Sequence, residues 1–204
     1  MAISGRIGAV FLQTDDAPLE FIKKGTLPDP QRMRYTITDE DCRYIDKNSN
    51  VTVYVNDEAV SSGLWIEHLG GTVNFISPLD PQDEVTVSGK RVIVEQTGGF
   101  FNWSVELKAD ISDITTFESG GFKETLPTIK GFLVSAECYW ANEKLSQRAG
   151  QEVIVALYLD TGPGKKRYEG YAIVSSDSIE ASVDDVINES IEFEGTDRLY
   201  YRED

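Results

Sequence analysis

Few residues in this sequence could do chemistry. It holds one histidine, His68, so it cannot build a two-histidine metal site, and a nucleophilic Ser or Cys would have to rely on that single imidazole. His68 follows Glu67 at a strand end and reads as a surface residue rather than a general base. Cys42 and Cys138 stand far apart and outside any CxxC pair, which marks them as small buried hydrophobes or free thiols. Asp46-Lys47-Asn48-Ser49-Asn50 opens like a calcium loop, but Val51 takes the place of its glycine and Asp57 that of its bidentate glutamate, so it reads as a polar turn. Gly162-Pro163-Gly164-Lys165-Lys166 lacks the spaced first glycine and the hydroxyl of a phosphate loop and reads as a basic hairpin turn. The carboxylates Asp15-Asp16, Asp39-Glu40-Asp41 and Asp184-Asp185 are sequence neighbours, not groups facing each other across a substrate. Trp65, Trp103 and Trp140 could form a sugar-binding platform; Trp103 and Trp140 fall on apolar rows and are assigned to the core, while Trp65 stays open. No catalytic, metal-binding or cofactor-binding set emerges, and the chain reads as a non-enzyme without a cofactor.

The elements that must position any site are strands. At 204 residues, 40% hydrophobic and 26% charged, the chain is long enough for one domain carrying a sizeable insertion. Its formal charge of −16 disfavours a protein that grips nucleic-acid phosphates, because that affinity comes from cations. The early apolar run at 7–12 is too short to span a membrane and lacks the charged start of a secretory signal, so a soluble chain made in the cytoplasm is expected.

Period-two alternation is clearest at 101–109, where Phe101, Trp103, Val105, Leu107 and Ala109 alternate with Asn102, Ser104, Glu106 and Lys108. That pattern predicts a strand with one core face and one wet face. Residues 132–140 and 153–159 are apolar in both rows and predict strands covered on both sides. Between them, Asn142 as cap, Glu143 in the first turn and Gly150 as terminator predict one short helix. Strands at 167–176 and 187–194 follow. Residues 35–90 differ: short strands at 51–55, 64–68, 72–76 and 84–88 alternate with turns such as Asn56-Asp57 and Ser62-Gly63. Charge divides in the same way, with five basic against four acidic residues in 1–34, three against ten in 35–90 and eleven against twenty-one in 91–204. The expected fold is mainly β: an antiparallel β-sandwich or barrel with one short α-helix, formed by 1–34 and 91–204, plus a small inserted all-β module at 35–90.

Over 100–195 the sequence resembles the major tail tube proteins of long-tailed bacteriophages. The resemblance rests on Phe101-Asn102-Trp103-Ser104-Val105-Glu106-Leu107, on Asp113-Ile114-Thr115-Thr116-Phe117, and on Gly120-Gly121-Phe122-Lys123-Glu124-Thr125-Leu126-Pro127. It continues through Cys138-Tyr139-Trp140, Val155-Ala156-Leu157-Tyr158-Leu159-Asp160, Arg167-Tyr168-Glu169-Gly170-Tyr171-Ala172, Val183-Asp184-Asp185-Val186 and Ile191-Glu192-Phe193-Glu194-Gly195-Thr196. The resemblance implies a structural virion protein that closes into hexameric rings stacked as a tube, with tape-measure and tail-terminator proteins as further partners. DNA would pass through without specific binding, and no membrane would be involved.

In that reading the opening strand and the loop at 115–127 make subunit contacts, through Thr115, Thr116, Phe117, Phe122, Lys123 and Leu126. The loop would order only when subunits meet, since Gly120-Gly121 is flexible and its aromatic residues suit an interface. Glu106, Lys108 and Glu169, on the polar rows of their strands, would face the lumen. Two alternatives stand beside it: a monomeric β-sandwich that binds carbohydrate or acts as an adhesin, and a tube protein of a phage-like particle or secretion system.

Overall fold

The computed structural model describes residues 8–140, 143, 145–161, 165–183 and 186–203. Along the chain run β1 (Ala9–Gln13), β2 (Leu19–Pro28), β3 (Arg34–Ile37), β4 (Thr52–Val55), β5 (Glu58–Val60), β6 (Leu64–Glu67), β7 (Thr72–Phe75), β8 (Val85–Arg91) and β9 (Val94–Gln96). There follow β10 (Phe100–Asp113), β11 (Thr125–Tyr139), β12 (Glu152–Asp160), β13 (Lys166–Glu180), β14 (Asn188–Gly195) and β15 (Tyr200–Glu203). The chain divides into two compact units, Met1–Leu12 with Gln96–Asp204, and Gln13–Glu95. The mainly β fold class anticipated from periodicity is the one observed.

In the first unit the strands lie in the order β10-β11-β14-β13-β12-β1, with β15 added to the first part of β13. The pairings between them are antiparallel. One face of this sheet carries the core: Val10 and Leu12 from β1, Phe132, Val134 and Ala136 from β11, Val153, Val155 and Leu157 from β12, with Val174, Ile191 and Phe193. Apolar side chains at every second position supply that face, because successive residues of a strand point to opposite sides. Phe132 anchors it. Its ring lies over Gly170 of β13 and Gly195 of β14, where an added Cβ would come within 2.6 and 2.3 Å of ring carbons. Only a bare backbone fits beneath it.

In the second unit the order is β5-β4-β8-β2-β3-β7-β6, around Phe21, Tyr35, Ile37, Val53, Val73, Phe75, Val85 and Val87. Asn56 and Asp57, both at positive φ, form the tight turn joining β4 to β5. Residues 13–34 and 91–95, assigned above to the main body, belong to this unit; β2 pairs with β8 on one side and β3 on the other. A register shift between Phe21 and Lys24 had hidden the alternation of β2.

Several side-chain expectations are corrected. A bulge between Phe100 and Asn102 puts Phe100 against the core and leaves Phe101 half exposed beside Tyr139, ring centroids 4.8 Å apart. Leu107 and Ala109 are exposed because β10 outruns the core. Trp140, assigned to the core, is exposed, whereas Trp103 packs against it. In β11 only the row from Phe132 to Cys138 is fully buried, while the row of Leu133 and Ser135 is half-buried; β12 is buried on both faces from Val153 to Leu157. The expected short α-helix reduces to a single 3-10 turn, Ser146–Arg148, because Gly150 already donates to the Val174 carbonyl and returns the chain to the sheet. Its predicted cap, Asn142, lies outside the described residues. His68 is half-buried, and burial holds its pKa below the ordinary histidine value.

Gly195→Ala forces a methyl into the Phe132 ring and is expected to cost about 1–3 kcal/mol. Urea unfolding measures this as a lower midpoint at unchanged slope, and the cost should shrink when Phe132→Leu accompanies it in a double-mutant cycle.

Candidate assembly surface

β10 and β11 pair from Phe100 opposite Cys138 to Asp113 opposite Thr125. β14 accompanies β11 only between Leu133 and Tyr139. Beyond Glu106 and Leu133 the two strands therefore leave the sheet as a two-stranded ribbon. Leu107, Ile111, Leu126 and Ile129 are exposed along it. An isolated two-stranded ribbon is at best marginally stable in water, so one this long and this apolar is suited to a partner.

The ribbon's end loop carries the residues expected to make subunit contacts. Thr115 accepts a hydrogen bond from the Glu124 backbone N–H at 2.9 Å, and Ile114 N–H donates to the Glu124 carbonyl at 3.0 Å. The Ser119 hydroxyl receives the Thr116 N–H, and Phe122 N–H donates to the Ser119 carbonyl. Gly120 and Gly121, both at positive φ, complete the turn. The threonine and serine hydroxyls of this loop bond to backbone within a single chain. Asp113 accepts from the Thr115 N–H, and bonds from Thr115, with Lys123 at 3.6 Å, hold its pKa below the usual carboxylate value. Phe117 and Phe122 are 109% and 79% exposed. Five of the six predicted contact residues lie in this tip, and Leu126 stands beside it in the first part of β11.

The face of the sheet opposite the core is acidic. Directly paired residues share a face, so the register aligns Glu106, Leu133, Glu194, Ile173 and Glu152 in one row across β10, β11, β14, β13 and β12. Ser104, Ser135, Glu192 and Ser176 form the next row, and Asn102, Glu137, Ser190 and Ser178 the one after. Lys108 reaches Glu106 at 3.4 Å. Sequence reading found Glu106 and Lys108 here but missed Glu137, Glu152, Glu192 and Glu194, since their alignment exists only once the register of five strands is known.

Glu169 does not join that surface. It alternates on the same side of β13 as Ile173 but is fully buried, its carboxylate held by Arg167 Nε at 2.8 Å and Arg202 Nε at 2.6 Å. Placing it in a lumen is therefore corrected. Addition of β15 brings Arg202 opposite Arg167, and a desolvated carboxylate there must be paired. Among the described residues no cluster of three metal-ligating side chains occurs. Asp46 accepts from the Asn48 N–H, as in an ordinary Asx turn. Gly162, Pro163, Gly164, Asp184 and Asp185 lie outside the described residues.

A second buried carboxyl, Glu189, faces the core side of β14. It accepts from the Cys138 thiol at 3.6 Å and lies beside the Asp177 carboxylate. Burial, then repulsion from Asp177, raises its pKa, and burial with the neighbouring Glu189 pushes the Cys138 thiol up to about 12. The folded state therefore holds the Glu189 proton more tightly than the unfolded chain does. Its contribution to stability is fully present below the ordinary carboxylate pKa and is lost as pH rises through the raised value. Glu189→Gln is expected to flatten that fall, as measured by thermal unfolding across a pH series.

No family model matches the chain, and no curated protein matches it in sequence. Among solved structures, a chain of a particle described as the virion of a native gene transfer agent aligns with TM-score 0.43 and 15% identity, over 53% of this chain and 88% of that one. A chain from the tail of an empty gene transfer agent particle, with C6 symmetry, aligns with TM-score 0.44 and 17% identity, over 53% and 86%.

Proposed function

We propose that the chain is a non-catalytic structural subunit of a phage-type tail tube, closing into rings, hexameric by family resemblance, that stack in a virion tail. The observation that carries this reading is the β10–β11 ribbon, which exposes a line of apolar side chains and two nearly bare phenylalanines beyond its own sheet. Among the described residues β10 also ends the sheet with one edge unpaired, and such edges are tolerated where another strand covers them. Closure of identical subunits into a ring covers every edge with the neighbour's. The unit Gln13–Glu95, which contains the 35–90 block, serves in this reading as an accessory module. Tape-measure and tail-terminator proteins are the further partners in this reading.

The acidic face suits the wall of a conduit for DNA. Glu106, Glu152, Glu192 and Glu194 are exposed on it, with Lys108 among them, and a narrow bore superposes such charges over a Debye length of about 8 Å. Phosphates repelled from every side find no site at which to stop.

Two outcomes test the reading. Phe122→Ala removes an interface anchor of about 2 kcal/mol or more without touching either core, so negative-stain images should show fewer tubes while circular dichroism stays unchanged. Glu106→Lys with Glu194→Lys, in particles that still assemble, should slow DNA ejection at low salt, with the delay shrinking as salt is raised. A tube-forming chain insensitive to both changes contradicts the assignment of ribbon and bore.

A further inference from the structure

Within the second unit, Asn74 of β7 is paired on one side with Trp65 of β6 and on the other with Arg34 of β3. The three side chains therefore stand in one row on the same face of the sheet. Glu67 follows Trp65 on that face, its carboxylate 3.5 Å from Arg34 Nη2 and accepting from the Thr72 hydroxyl at 3.3 Å. Ile76, just past the end of β7, is exposed, and its N–H donates to the Gly63 carbonyl.

Trp65 is 57% exposed. Its exposure does not come from a crowded interior, because Leu64 and Ile66 of the same strand pack against the core from the opposite face. An indole left on an edge strand adds little to folding and invites association. Its setting is a flat apolar ring bordered by a carboxamide that donates and accepts, a guanidinium that donates and a carboxylate that accepts. A pyranose ring has the complementary pattern: one face of C–H groups that stacks on an indole, and a rim of hydroxyls that both donate and accept. An apolar protein surface would strip water from Asn74, Arg34 and Glu67 without replacing their hydrogen bonds. A polyanion would meet Glu67 and a chain of net charge −16.

We propose that the Trp65, Asn74, Arg34 and Glu67 face binds neutral pyranosides, with Trp65 as the stacking platform and the other three side chains as hydroxyl partners. The site is independent of the tail-tube reading and holds whether or not the chain forms rings.

The test titrates the full chain by calorimetry with four soluble neutral probes: β-1,4-linked glucose and N-acetylglucosamine hexamers, a mannan and a galactan. At least one is expected to bind saturably and to shift tryptophan fluorescence. Trp65→Ala, an exposed substitution whose fold is checked by circular dichroism, should weaken that binding by about tenfold or more, and Asn74→Ala should weaken it while leaving the platform in place. Absence of saturable binding to all four probes up to about 10 mM overturns the proposal. So does binding that survives Trp65→Ala unchanged. A Trp65→Ala chain that changes its sedimentation but not its saccharide binding makes the face a protein contact and likewise overturns it.

Discussion

The seat of Phe132 on two bare backbones is the constraint on which the larger unit depends. Its ring needs the absence of a side chain at Gly170 and at Gly195, on the neighbouring strands β13 and β14. By filling that hollow it closes one end of the apolar layer formed by β1, β11, β12, β13 and β14. It also stands next to Leu133, the last β11 residue that β14 accompanies. The position that seals the core is thus the position at which β10 and β11 depart from it, so interior packing and the exposed ribbon share a boundary.

Much of this was legible in the sequence where alternation is unbroken. The paired apolar rows of β12 announce a strand covered on both faces, and Asn56-Asp57 announces the turn between β4 and β5. Failures follow a physical pattern. Counting by twos cannot detect an extra residue, so the bulge at Phe101 inverted one assignment and the irregular β2, with its adjacent lysines, passed unnoticed. Nor does alternation reveal where a strand's neighbours stop. Leu107 continues the apolar row of Trp103 and Val105 yet finds no layer beneath it.

The candidate surfaces divide along the same line. The tip residues 115–126 are contiguous, and the family resemblance singled them out together. Glu106 and Glu169 looked equivalent, each an acid on a polar row, but one faces water and the other lies between two guanidiniums, the second contributed from 33 residues downstream. Only the pairing of β15 with β13 distinguishes them. The acidic row and the Trp65 row are likewise products of register, in which residues distant in sequence become neighbours at roughly 5 Å spacing.

The burial of both cysteines has a practical consequence for testing whether the chain assembles. Cys42 and Cys138 are each about 2% exposed, and burial raises the pKa of both thiols. The reactive species in alkylation and disulfide exchange is the thiolate, so native thiols shielded in this way react slowly with maleimides and do not cross-link neighbouring copies during storage. A cysteine introduced at the bare tip position Phe117 would then be the fast-reacting thiol of the folded chain. A fluorophore could be placed there without first replacing either native cysteine, and whether a labelled tip becomes buried between subunits, as proposed, could be read in real time.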